Sequence, residues 1–196
     1  MTGKTHIAGG VLTGMAIAHY LLLSNQCLPI YAGCLVGATL VGSLIPDLDS
    51  EKSIISKSLW LLTILYKLVK KIVGLFKIKG MGHRGFLHSL VVPMILGLIG
   101  FFLHRMWEWT TYISIGIISG YLSHLILDML NPMGISLFFP FFKSKFRLLP
   151  KCIAMKTGGI AESVIFSIFS TIILVYGFVY INFFSFKDRS PVALFV

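Results

Sequence analysis

Between Thr111 and Leu130 the chain offers only two side chains that readily carry charge near neutral pH, His124 and Asp128. An apolar stretch of this length matches the hydrocarbon core of a bilayer, which about 20 helical residues cross. Similar runs lie at about 7–23, 30–45, 86–103 and 160–184, separated by short polar loops, prolines or charges. Only 12% of the 196 residues are charged, where a soluble domain carries about a quarter. Mean hydropathy is +0.89. These features predict an all-α integral membrane bundle of about five transmembrane helices in a single domain, 1–196.

The segments differ in character. The first run is rich in small residues (Gly9, Gly10, Gly14), which lets helices approach closely in lipid. It lacks an A-x-A-like cleavage site near its end and contains His19, so it is expected to stay in the mature chain. The second run stops at Pro46 and opens into Asp47-Leu48-Asp49. Pro93 predicts a kink in the third. Residues 57–79 hold six lysines among apolar residues, which predicts an amphipathic helix lying in the interface. The alternative is a spanning helix with snorkelling lysines. Residues 133–159 are basic and aromatic, and Phe138, Phe139, Phe141 and Phe142 read as a membrane-dipping element. Cys27, Cys34 and Cys152 form no metal or disulfide pattern and read as free thiols.

The net charge of +10 is not spread evenly. With alternating spans, fourteen Lys and Arg residues fall on the side of the amino end and the two long loops, against three on the other. That asymmetry is a membrane-topology signal, not a nucleic-acid footprint. It places the amino end and both long loops in the cytoplasm.

The polar residues of the spans gather at that same end. His6 opens the first span, Asp47 and Asp49 close the second, and His83, Arg84 and His88 open the third. His124, Asp128 and Asn131 close the fourth, and Glu162 opens the fifth. His124, Asp128 and Asn131, at i, i+4 and i+7, share one helix face. Ionisable groups in apolar sequence are costly unless paired or ligating. Imidazoles and carboxylates together are ordinary ligands for a divalent metal. Candidate ligands are His6, Asp47, Asp49, His83, His88, His124, Asp128 and Glu162; His83 and His88, five apart, do not stack on one regular helix, so one of them need not touch the ion. The set would serve one zinc, or two metals bridged by a carboxylate, the common arrangement for phosphoester hydrolysis. Manganese and magnesium are alternatives to zinc. Arg84 fits a phosphate partner, Asp49 a general base, and Asn131 a third catalytic group. Each also has a plainer use: His6, Asp47 and Glu162 as helix-end or turn groups, and Arg84 as an interfacial anchor. No GxSxG and no P-loop is present.

Gly82-His-Arg-Gly-Phe-Leu-His-Ser89, Gly120-Tyr-Leu-Ser-His-Leu-Ile-Leu-Asp-Met-Leu-Asn-Pro132 and Leu44-Ile-Pro-Asp-Leu-Asp49 together resemble the YdjM-like family of bacterial inner-membrane proteins. Phe146-Arg-Leu-Leu-Pro150 and the Gly159-to-Glu162 segment match as well. That family is described as LexA-regulated, membrane-bound, metal-dependent hydrolases. A more distant likeness is to the zinc-dependent phospholipase C superfamily, through the His-x-x-x-Asp of His124 and Asp128, the upstream Asp47 or Asp49, and Glu162. No second His-x-x-x-Glu pair like that of the superfamily lies at this end of the spans; the spacing occurs at His104 and Glu108, near the other membrane face. The expected function is therefore a membrane-bound, metal-dependent hydrolase acting on a phospholipid-like phosphoester at the cytoplasmic face, its partners membrane lipids and not nucleic acid. A metal-binding transporter or a non-enzymatic adaptor with a structural metal is the alternative. The sequence does not speak to oligomeric state.

Overall fold

The computed structural model describes residues 1–49, 64, 85–142 and 144–189. The amphipathic segment 57–79, apart from residue 64, lies outside the described residues, as do His83 and Arg84. Among the described residues there are five α-helices, which we number α1 (Gly3–Leu23), α2 (Pro29–Gly42), α3 (Val91–Met106), α4 (Thr110–Met129) and α5 (Ile160–Arg189). No strand is present among them; Ile135 and Phe146 form an isolated antiparallel bridge. The all-α membrane bundle expected from the sequence is what the fold shows.

Among the described residues, four stretches are long and apolar enough to cross a membrane: Gly3–Leu23, Pro29–Leu48, Thr110–Met129 and Ile160–Tyr180. The third rod is shorter than expected. Its α-helix covers 16 residues, because Phe86–His88 wind as a separate 3-10 turn. Ser89 ends that turn in an extended conformation, its hydroxyl donating to the Phe86 carbonyl. Pro93 then falls in the first turn of α3 and not in its middle. A missing N–H costs nothing there, so the expected kink has no basis.

The bundle is drawn together through small residues. A Cβ on Gly120 of α4 would overlap the backbone carbonyl of Thr39, and one on Gly42 of α2 would overlap the carbonyl of Ile117. The two backbones therefore touch, as small-residue stripes allow. Thr39 also faces Gly14 of α1, and Ser43 faces Gly10, so α1 seats on the same stretch of α2. The fifth helix packs on α1, and most of its length through Tyr180 presents apolar residues such as Val164, Ile168, Leu174 and Phe178 to the outside.

The segment after α4 folds back over the ends of α3 and α4. Leu148 N–H donates to the Met129 carbonyl at 2.9 Å and Met155 N–H to the Leu130 carbonyl at 3.0 Å. These satisfy acceptors that a helix end leaves open. Ile135 and Phe139 are buried, whereas Phe138, Phe141 and Phe142 are exposed. The aromatic loop is thus partly a core element, and only its outer phenylalanines remain free to meet lipid.

Candidate metal centre

Four elements converge at one end of the bundle. His6 ends the first turn of α1, and Asp47 comes from the 3-10 turn Ile45–Asp49 that follows α2. His88 closes the 3-10 turn before α3, and His124 and Asp128 stand one turn apart on α4. The three imidazoles have no exposed surface and Asp128 keeps 2%. Asp47 is partly buried. The His6 and His124 rings stack with centroids 3.6 Å apart, and His88 meets His124 edge-on at 5.3 Å.

The donor atoms face one another. His6 Nε2 is 3.3 Å from Asp128 Oδ1, and His88 Nε2 is 3.4 Å from Asp128 Oδ2. His124 Nε2 is 3.8 Å from Asp128 Oδ2 and 3.9 Å from Asp47 Oδ1. One potential ligand atom from each of His6, Asp47 and His124 lies within 4.8 Å of the others, and the same holds for His88, His124 and Asp128. Two donors on a tetrahedral zinc, each about 2.0–2.1 Å from it, stand about 3.4 Å apart. The observed spacings are close to that edge.

The local chemistry fits a cation. His124 Nδ1 lies 2.7 Å from the Ser43 carbonyl. A carbonyl only accepts, so Nδ1 carries the proton and Nε2 turns its lone pair into the cluster. This is the orientation that an outer partner imposes on a metal-ligating histidine. His124 Nε2 and His6 Nδ1 are buried without a hydrogen bond, while His6 Nε2 faces Asp128 Oδ1. Each such group costs about 1–3 kcal/mol unless something binds it. Asp128 Oδ1 already accepts from the ammonium of Met1 at 2.6 Å, so the carboxylate attracts positive charge in this setting. The described residues therefore include His/Asp groups suited to hold a metal ion.

Two sequence candidates are engaged elsewhere. Glu162 is buried, but its Oε1 accepts from Thr2 N–H and from the Thr5 hydroxyl at 2.8 Å, while Oε2 accepts from Gly158 N–H at 2.6 Å. It clamps the start of α1 to the start of α5 and belongs to neither His/Asp group. Asn131 donates through Nδ2 to Thr157 at 2.7 Å and accepts from Met133 N–H, closing the turn after α4. The side chain of Asp49, and the whole of His83 and Arg84, lie outside what the structure describes.

Sequence reasoning missed three supports of the cluster. Tyr121, wholly buried, donates its hydroxyl to the Leu87 carbonyl and so ties the His88 turn to α4. Thr5 and the Ser43 carbonyl hold Glu162 and His124. The signal for Tyr121 was available, since a phenol one turn before His124 in an apolar helix needs a buried acceptor. The Ser43 carbonyl carried none, because a backbone group is the same at every position.

Over residues 1–187 the sequence matches the family described as YdjM inner membrane protein. The chain belongs to this family. Among its relatives, uncharacterized protein YvsG of Bacillus subtilis (strain 168) is 36% identical over 166 residues, 84% of this chain and 87% of that protein. Inner membrane protein YdjM of Escherichia coli (strain K12) is 34% identical over 116 residues, 58% of this chain and 53% of that protein. The YdjM protein of Shigella flexneri matches to the same extent. The alignment thus spans about half the length of these two YdjM proteins. No solved structure matches, and the likeness to the phospholipase C superfamily draws no support from these relatives. YdjM-family membership and the four apolar helices support a bacterial inner-membrane location.

Proposed function

We propose that this YdjM-family chain is a metal-dependent hydrolase of the inner membrane that cleaves a phospholipid-like phosphoester at the cytoplasmic face. The observation that carries the reading is the meeting of His6, His88, His124 and Asp128, from two helices and a 3-10 turn, in a buried cluster whose lone pairs face inward. Cytoplasmic sidedness rests on the fourteen basic residues assigned to that end.

His124, locked through Nδ1, can give its Nε2 to one ion only. His88 and Asp128 Oδ2 complete that ion's set; His6 and Asp47 are the donors left for a second, which would have to displace the Met1 ammonium from Asp128 Oδ1. Zinc suits this donor mixture, and manganese is the alternative. A bound ion of this kind would polarise a phosphoryl oxygen and acidify a water. The chain's own contribution is to hold the ligands dry and oriented. Asp47, with 16% of its side chain exposed, is the least buried of these donors. Asp49 and Arg84 retain the roles of base and phosphate partner in this proposal. A lipid substrate would arrive from the leaflet, drawn by the basic loops.

One observation favours a second reading. Complete burial of three imidazoles also suits a closed, structural metal site in a non-enzymatic protein. A single experiment separates the two. Purified protein is assayed for metal content and for hydrolysis of a phospholipid mixture, with and without chelator, beside Asp128→Ala. Metal-dependent hydrolysis lost in the variant is the expected result. Bound metal without any hydrolysis would leave the structural reading, and activity indifferent to both chelator and substitution would end the hydrolase proposal.

A further inference from the structure

At the far end of the bundle, about 20 Å along α4 from His124, a cavity of about 410 Å³ opens between the α3–α4 turn and the start of α2. Its lining includes Glu108, His104, Trp109, Tyr31 and Tyr112. The tyrosine rings lie parallel, 4° apart in plane, with centroids at 5.1 Å. The Tyr112 hydroxyl donates to the Gln26 carbonyl at 2.7 Å, tying α4 to the α1–α2 loop. His104 Nδ1 and the Thr111 hydroxyl are 2.7 Å apart, which holds the imidazole against α4. No group of three metal-ligating side chains occurs here among the described residues.

One carboxylate beside aromatic rings is a poor cage for a small divalent ion, which wants three or more donors. It is the ordinary combination for an organic ammonium group, attracted by the carboxylate and by ring faces. Trp107 and Trp109 are half exposed beside the cavity, at the level where headgroups meet aromatic side chains. We propose that this cavity binds the ammonium headgroup of a membrane lipid, of the ethanolamine type, in the leaflet opposite the metal centre. Glu108 neutralises the amine, Trp109 and the tyrosine pair flank it, and the lipid's chains lie along the exposed apolar side chains of α3. The inference is independent of the hydrolase proposal.

The test uses the full chain purified in detergent. It is given equal amounts of phosphatidylethanolamine and phosphatidylglycerol, and retained lipid is read by native mass spectrometry. Preferential retention of one phosphatidylethanolamine is expected. Glu108→Gln should reduce that preference about tenfold, and Tyr112→Leu should do the same by a different route. Metal content at the cluster should be unchanged in both, which also shows that the variants fold. Equal retention of the two lipids, or a preference that survives both substitutions, would overturn the proposal. Free ethanolamine holding the site as tightly as the lipid would overturn the assignment to a lipid.

Discussion

The two ends of this bundle use the same residue types differently. At one end His6, His88 and His124 have no exposed surface and crowd around Asp128. At the other, His19 and His104 are exposed; His19 packs edge-on against Tyr176 with centroids at 5.5 Å, and His104 meets the Thr111 hydroxyl. Asp128 keeps 2% of its surface, whereas Glu108 is exposed. An imidazole or carboxylate at a membrane surface can turn to water, so its neighbours demand little of it. The same group buried must be answered by other buried groups, and the answer here comes from several helices at once. Convergence, more than residue type, separates the buried metal-binding cluster from groups at the membrane surface.

The sharpest way to break the contrast is to remove one carboxylate from each end. Asp128→Ala should lower stability by about 3–5 kcal/mol and abolish metal binding, since it strands buried imidazoles and an ammonium. Glu108→Ala should stay within about 0.5 kcal/mol. Thermal melting with elemental analysis compares them, and equal small shifts would show that the cluster is not a unit. Histidines come next. His6→Gln should weaken metal affinity beyond the roughly 10–100-fold typical of an outer partner, while His19→Gln leaves it unchanged.

Glu162→Gln sharpens the picture at the cluster end itself. As a clamp, Glu162 should cost about 1.5–3 kcal/mol of stability through its charge-assisted hydrogen bonds while metal stoichiometry stays the same. Loss of an ion in that variant would make Glu162 a ligand instead. The smallest effect belongs to Thr111→Val, which removes only the contact to His104 and should shift stability by less than about 0.5 kcal/mol.

Much of this was legible in the chain. The apolar runs set the rods, and the i, i+4 pair of His124 and Asp128 marked the helix around which the site is built. The small residues Gly10 and Gly14, four apart, likewise announced a close helix contact, and they face Ser43 and Thr39. Glu162 shows where such reasoning stops. Its position at a helix start suits a ligand and a clamp equally, and only the approach of Thr2 and Thr5 from α1 tells them apart. Asn131 is similar: its face on α4 points to the cluster, but the helix ends at Met129 and the residue turns away to Thr157.

By itself, the sequence determined that the chain lives in a membrane, how its rods alternate, and that their polar tips share one end. Hydropathy and charge act locally, so they can be read from local composition. The tertiary structure decided which tips meet. That choice depends on backbones touching at Gly42 and Gly120, on a carbonyl at Ser43 orienting His124, and on Tyr121 holding the His88 turn. Those contacts join residues far apart in the chain, and no local pattern records them.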